Sequence, residues 1–168
     1  MLNRLTRNRV FPMIQSVISK AVSHKGYKEG TNNDNKFADI AGHPNHQPWC
    51  ATFVVACFKE GGELAAIPDS AYCPYIESWG IKNKRTRTVQ TAKRGDLILF
   101  DFTKSGQAQH IGIAIHDFDP HTKTIQTIEG NTGDINQANG DGVYVKTRQL
   151  EFIRAVIRPH WSNINEAK

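Results

Sequence analysis

Three cysteines and seven histidines carry most of the chemistry open to this 168-residue chain. The cysteines are Cys50, Cys57 and Cys73. So small and odd a number does not build a disulfide framework, which leaves buried thiols or a reactive one. Cys50 stands at the expected start of a helix, directly after Pro48-Trp49. Free N–H groups and the helix dipole at such a position favour a thiolate. The same N–H groups can hold an oxyanion. Cys57 falls two turns later, among Val54 and Phe58, and reads as core. Cys73 precedes Pro74 in an expected loop and has no obvious partner. Cys50 is therefore the candidate nucleophile, and it needs a base.

Strand arithmetic selects the histidine. Residues 110–118 alternate, with Ile111, Ile113 and Ile115 on one face. Asp119-Pro120-His121-Thr122 suits a four-residue hairpin connection, so Phe118 should face Lys123. His110 then faces Asn131, and Gly112 faces Glu129. The period of two puts His110, Glu129 and Asn131 on one face, opposite Ile111, Ile113 and Ile128. An imidazole with a carboxylate and a carboxamide in reach has the orienting shell of a catalytic base. His116 shares the face but lies about 20 Å along the strand.

The elements that must position these groups can be read outward from them. Pro48 to Gly62 reads as a largely buried helix, opened by proline and closed by Gly61-Gly62. Before it, 29–47 reads as a polar loop. Ile14, Val17, Ile18, Ala21 and Val22 share one helical face, which predicts an amphipathic helix over 12–25, with Pro12 in its first turn and Gly26 at its end. The basic, acid-free segment 1–28 has the charge of a signal or transit peptide. Its apolar run is interrupted by Gln15, Ser16, Ser19 and Lys20, so a packed helix is the expectation. Residues 63–95 are mixed, with a short helix near 75–79. Strands are expected at 97–100, 110–118, 123–129, 142–148 and 152–158. Helices followed by an antiparallel sheet of about five strands define an α+β domain.

Four segments carry a resemblance: Pro48-Trp49-Cys50-Ala51-Thr52-Phe53-Val54; Arg94-Gly95-Asp96-Leu97-Ile98-Leu99-Phe100; Gln109-His110-Ile111-Gly112-Ile113; and Ile128-Glu129-Gly130-Asn131-Thr132. In this order they resemble the CHAP family, the cysteine- and histidine-dependent amidohydrolases/peptidases of the papain-like NlpC/P60 superfamily. The segments 142–148 and 156–159 resemble the strands that close such domains in phage lysins. The resemblance covers roughly Gly26 to Pro159, and a single catalytic domain over 1–168 is expected, with 1–25 as a basic segment and helix. It implies Cys50 as nucleophile, His110 as general base, Glu129 as orienting residue, and Asn131 assisting orientation or oxyanion binding. Trp49 and His46 are the candidates for binding substrate. The implied substrate is bacterial peptidoglycan, cut at N-acetylmuramoyl–L-alanine or at a peptide cross-link through a thioester. A phage endolysin is the expected setting. An antibacterial amidase toxin with an immunity partner, or a virion lysin aiding DNA entry, is the alternative.

His43, His46 and Cys50 also have a spacing that zinc could use, but a fourth ligand would have to come from Cys57 or Cys73. Residues 30–39 hold few acids where certain CHAP lysins bind calcium, and 117–128 lacks the Gly and Glu of an EF-hand loop. No metal and no cofactor is expected. The net charge of +5 favours an anionic partner. The basic stretch Lys82, Lys84, Arg85, Arg87, Lys93, Arg94 could contact an anionic polymer. No groove-reading or base-stacking motif points to nucleic acid, and no apolar run approaches the ~20 residues of a membrane helix. A monomer is expected, made in the host cytoplasm and reaching the wall by holin-type release.

Overall fold

A helix that is apolar on all sides must be enclosed, and the sequence after Pro48 is such a helix. The computed structural model describes residues 4–161, the side chains of 4–8 excepted; the ends of the expected 1–168 domain lie outside them. Four α-helices, α1 (Arg4–Ser23), α2 (Lys36–Ala41), α3 (Cys50–Glu60) and α4 (Cys73–Lys82), surround one face of a sheet. Every side chain of α3 from Cys50 to Phe58 is buried.

Helix α1 starts earlier than expected and carries Pro12 in its interior. The residues ahead of Pro12 include good helix formers and no glycine, so the helix continues through the proline at the loss of one backbone hydrogen bond. Val17, Ile18 and Ala21 are buried as the periodicity requires, whereas Val22 is exposed. The segment expected to be loop contains α2. Its cap is local: Asn35 accepts from the Ala38 N–H, and Gly42 closes the helix at φ 76°. Helix α4 runs from Cys73 to Lys82, longer than expected, with a proline in its first turn.

The sheet has six strands: β1 (Thr86–Arg87), β2 (Leu97–Phe100), β3 (His110–Ala114), β4 (Thr124–Thr132), β5 (Gly142–Gln149) and β6 (Ile153–Ile157). Their order is β1-β6-β2-β3-β4-β5, and every pairing is antiparallel. The strand beyond the expected five is the two-residue β1 on the edge. One core lies between the helices and the face carrying Leu97, Leu99, Ile111, Ile113 and Ile128. A smaller one gathers Ile98, Phe100, Ala114, Ile125 and Val156 on the opposite face. The fold is α+β, as the order of elements requires.

The β3–β4 hairpin departs from the expected turn. Ile113 faces Ile128 and Ala114 faces Thr127, which is the register derived from turn length. At the tip, however, Asp119 bridges Thr124, so Phe118 does not face Lys123. The turn is shifted by one residue, with Lys123 at φ 54°. The irregular stretch 115–118 absorbs the offset, and β3 ends at Ala114 with His116 exposed.

Candidate active site

Cys50 is the first residue of α3, and no side chain caps that helix start. Its N–H groups are thus left for the sulfur and for an incoming oxygen. The thiol is held well below the ordinary cysteine range. The largest cause is a hydrogen bond from the Cys73 thiol; the His110 ring and the Ala51 N–H add to it, against the penalty of burial. Cys73 is the second sulfur at this point. It is the first residue of α4, its Sγ lies 3.7 Å from that of Cys50, and it is buried. The expectation of a partnerless loop cysteine is corrected: two helix starts bring the two thiols together. Donation to Cys50 and burial push the Cys73 thiol well up. Cys57 is wholly buried, and burial raises its thiol as well.

His110 is completely buried at the start of β3. Its Nε2 lies 2.8 Å from Glu129 Oε2. Among the described residues Nδ1 has no hydrogen-bond partner within bonding distance, which leaves it for the thiol. Burial disfavours a charged imidazole, but the Glu129 carboxylate and the Cys50 thiol outweigh it and raise the pKa to about 9. Both shifts run in the direction that favours a thiolate beside an imidazolium.

Glu129 is buried with its charge fully engaged. Arg148 on β5 grips both oxygens, Nε on Oε1 at 2.9 Å and Nη2 on Oε2 at 2.5 Å. Thr127 donates to Oε1 at 2.6 Å. Burial raises the carboxyl pKa, yet Arg148 and His110 together bring it down to about 2. The Arg148 guanidinium also lies 4.8 Å from the Phe102 ring centre and 5.3 Å from that of Phe100. Sequence reasoning missed both Arg148 and Thr127. Arg148 falls in an expected strand, but it pairs with Ile125 while Glu129 pairs with Tyr144, so the guanidinium reaches the carboxylate along the strand face and cross-strand pairing does not disclose it.

The remaining candidates divide. Asn131 is buried at φ 54° beside that irregularity, and neither atom of its amide has a partner. It makes no hydrogen bond to His110, and the regular β3–β4 pairing stops short of the expected His110–Asn131 pair. Trp49 is corrected as a substrate contact. It is wholly buried, stacked on Phe37 at 5.3 Å, and donates through Nε1 to Glu29. His46 is exposed at φ 63° and directs Nδ1 to the Asn32 carbonyl. His43 is tied to Thr52 at 2.9 Å and Asp69 at 2.7 Å. The two histidines therefore do not converge on Cys50. Among the described residues no three His, Cys, Asp or Glu side chains come together as metal ligands would.

Two grooves flank the segment 133–141. One, of about 410 Å³, is lined by Glu29, Asp134, Ile135, Asn139, Asp141 and Tyr144. The other, of about 500 Å³, is lined by Phe102, Thr103, Gln109, Ile135 and Gln137. Glu29, which accepts from the Trp49 ring N–H, lines the first, and Gln109, the residue before His110, lines the second. Ile135, fully exposed, stands between them.

The CHAP domain family model matches residues 42–131, more than half the chain. That span runs from the approach to α3 through β4 and contains Cys50, His110 and Glu129. No curated protein matches. Among solved structures, a mutated form of the Resuscitation Promoting Factor Interacting protein RipA superposes with a TM-score of 0.58 at 18% identity, over 90% of this chain and 64% of that one. The peptidoglycan hydrolase RipB from Mycobacterium tuberculosis gives 0.56 at 19% identity, over 94% and 68%. The wild-type endolysin LysIME-EF1 gives 0.56 at 17% identity, over 89% and 65%. The chain thus spans about two thirds of the length of each, and the likeness is one of fold.

Proposed function

Because the chain belongs to the CHAP domain family, we propose that it hydrolyses amide bonds of bacterial peptidoglycan through a Cys50 thiolate. The observation that carries this reading is the chain of contacts Cys50–His110–Glu129–Arg148. A thiolate at a helix start meets a buried imidazole whose other nitrogen is fixed at 2.8 Å by a carboxylate. The thiolate attacks the amide carbon, and the N–H groups at the start of α3 receive the developing oxyanion. The His110 imidazolium passes its proton to the leaving amine as the C–N bond breaks, which leaves a thioester on Cys50. Neutral His110 then takes a proton from water, the resulting hydroxide displaces the thiolate, and the free carboxylate product departs. Glu129 keeps the ring oriented and its charge favourable, and Arg148 keeps Glu129 ionised.

We assign the wall peptide to the grooves beside 133–141, with its scissile bond at Cys50. Asn131, whose unpaired amide is buried next to this segment, is assigned to the oxyanion or to the carbonyl that follows it. The setting is host lysis by a phage, with the enzyme released to the wall through a holin-type lesion. The positive net charge, suited to an anionic wall polymer, supports a wall-directed role.

Purified peptidoglycan incubated with the parent protein and with Cys50→Ala tests the reading. Soluble fragments should appear with the parent and not with the variant. Their masses and new termini report whether N-acetylmuramoyl–L-alanine or a cross-link is cut. Equal release by a folded Cys50→Ala would rule out the cysteine mechanism.

A further inference from the structure

The mechanism uses one sulfur at a point where the fold supplies two. Cys50 and Cys73 each open a helix, each is nearly but not wholly enclosed, and their Sγ atoms are 3.7 Å apart. We propose that Cys50 and Cys73 form a redox modification site, in which a peroxide converts the catalytic thiol and its neighbour into a disulfide that silences the enzyme and a dithiol restores it. The inference rests on the reading of Cys50 as the nucleophile.

The chemistry needs an attacking thiolate and a resolving thiol. Cys50 sits beside a cationic ring and a helix N-terminus, which supply the thiolate. Among the described residues no cation acts on Cys73, which remains the thiol. The Cys50 thiolate attacks one peroxide oxygen, the O–O bond breaks, and a sulfenic acid forms as hydroxide leaves and is protonated to water. Cys73 then gives up its proton and attacks the Cys50 sulfur. The S–S bond forms, the S–O bond breaks, and a second water leaves. Two thiols are oxidised by two electrons and one hydrogen peroxide is reduced to two waters.

Closing the gap from 3.7 Å to the ~2.0 Å of a disulfide needs the two sulfurs to approach by about 1.7 Å. Cys57 is excluded from this chemistry. It lies two turns along α3, wholly buried among Val54 and Phe58, with no sulfur beside it among the described residues.

The full chain is treated with stoichiometric hydrogen peroxide and analysed in three ways. The intact mass should fall by about 2 Da, for two hydrogens lost. Titratable thiols after denaturation should drop from three to one, and proteolysis should yield a Cys50–Cys73 cross-linked peptide that dithiothreitol releases. Peptidoglycan release should be lost in step with the cross-link and return with dithiothreitol. In Cys73→Ser, one equivalent of peroxide should add one oxygen to Cys50 without a cross-link, and further peroxide should carry that sulfenic acid to the sulfinic acid, from which dithiothreitol recovers little of the variant's own starting activity.

Oxygen adducts on Cys50 in the parent, with no cross-linked peptide, would overturn the proposal. So would a cross-link that leaves hydrolysis intact. The mass and thiol readouts do not depend on any substrate. A cross-link in a protein that never releases wall fragments would therefore refute the hydrolase reading while leaving the sulfur pair established.

Discussion

At the scale of single residues, the site is a row of buried charges, each explained by the next. Arg148 keeps Glu129 ionised, Glu129 keeps His110 protonated, and the Cys73 thiol together with His110 keeps Cys50 ionised. Glu129→Gln cuts the row in the middle. It removes the carboxylate that holds His110 at about 9, so the alkaline limb of the pH–rate profile should move down toward the ordinary 6.5. Turnover should fall by roughly 10²–10⁴-fold, the usual worth of a positioned acid–base group. A profile whose alkaline limb stays put would mean that Glu129 does not set the state of His110. The same ionisations govern stability. The Glu129 pKa is depressed from the usual 4.5 to about 2, so its contribution is present above pH 4.5 and is lost as pH falls through about 2. The His110 pKa is raised from 6.5, so its contribution is complete below pH 6.5 and lost as pH rises through about 9. Thermal melts across pH should show both losses in the parent and a weaker acid limb in Glu129→Gln.

At the scale of elements, two glycines decide how closely β3, β4 and α3 approach. A Cβ on Gly130 would stand 2.5 Å from Phe53 Cβ and 2.7 Å from the Trp49 ring, both wholly buried in an aromatic cluster that cannot yield. A Cβ on Gly112 would stand 2.6 Å from Glu129 Cγ. Gly130→Ala should therefore cost about 1–3 kcal/mol through overpacking, lowering Tm by several degrees, and should displace the start of α3 from His110. Gly112→Ala presses on the orienting carboxylate and should reduce turnover more than it reduces Tm. Melting curves and peptidoglycan release on both variants would separate the two effects, and equal losses in both assays would refute the division. These contacts also mark what the sequence discloses. The pairing of Ile113 with Ile128 is the one that burial requires, and it holds although the turn from which it is counted lies one residue further on, because the stretch 115–118 makes up the offset. The same logic brought His110 to Glu129. It failed past Gly130, where β4 breaks step with β5 and Asn131 turns to positive φ, since a bulge leaves no periodic trace. It failed again at Cys73, whose partner comes from another helix start, and at Trp49, which is apolar enough to serve either cleft or core. Tertiary packing alone chose the core.

At the scale of the whole molecule, charge connects the domain to its proposed substrate. The net charge is +5, and the basic stretch that begins with the last residue of α4 offers Lys82 and Lys84 exposed and Arg87 half-buried. Arg85 belongs to the fold: Nε and Nη2 donate to the carbonyls of Arg158 and Pro159 at 2.9 and 2.8 Å, where the chain leaves β6. Lys93 lies 3.3 Å from Asp117, an exposed pair. The surface charge to neutralise is therefore Lys82, Lys84 and Arg87, converted together to Gln. If this face guides the enzyme to an anionic wall, the triple variant should bind sacculi more weakly than the parent at low salt, and the difference should vanish as salt rises. The Debye length shrinks from ~10 Å at 0.1 M to ~3 Å at 1 M, which removes long-range attraction. The pairs around Glu129 are buried and in direct contact, so screening reaches them far less. Turnover of a small soluble muropeptide should accordingly change much less than binding to sacculi, both with salt and in the triple variant. Sedimentation of sacculi with bound protein, set beside a soluble-substrate assay at the same ionic strengths, measures the two separately. Equal binding by parent and variant at low salt would show that these side chains form only a solvated face, and wall attachment would then have to come from the grooves beside 133–141.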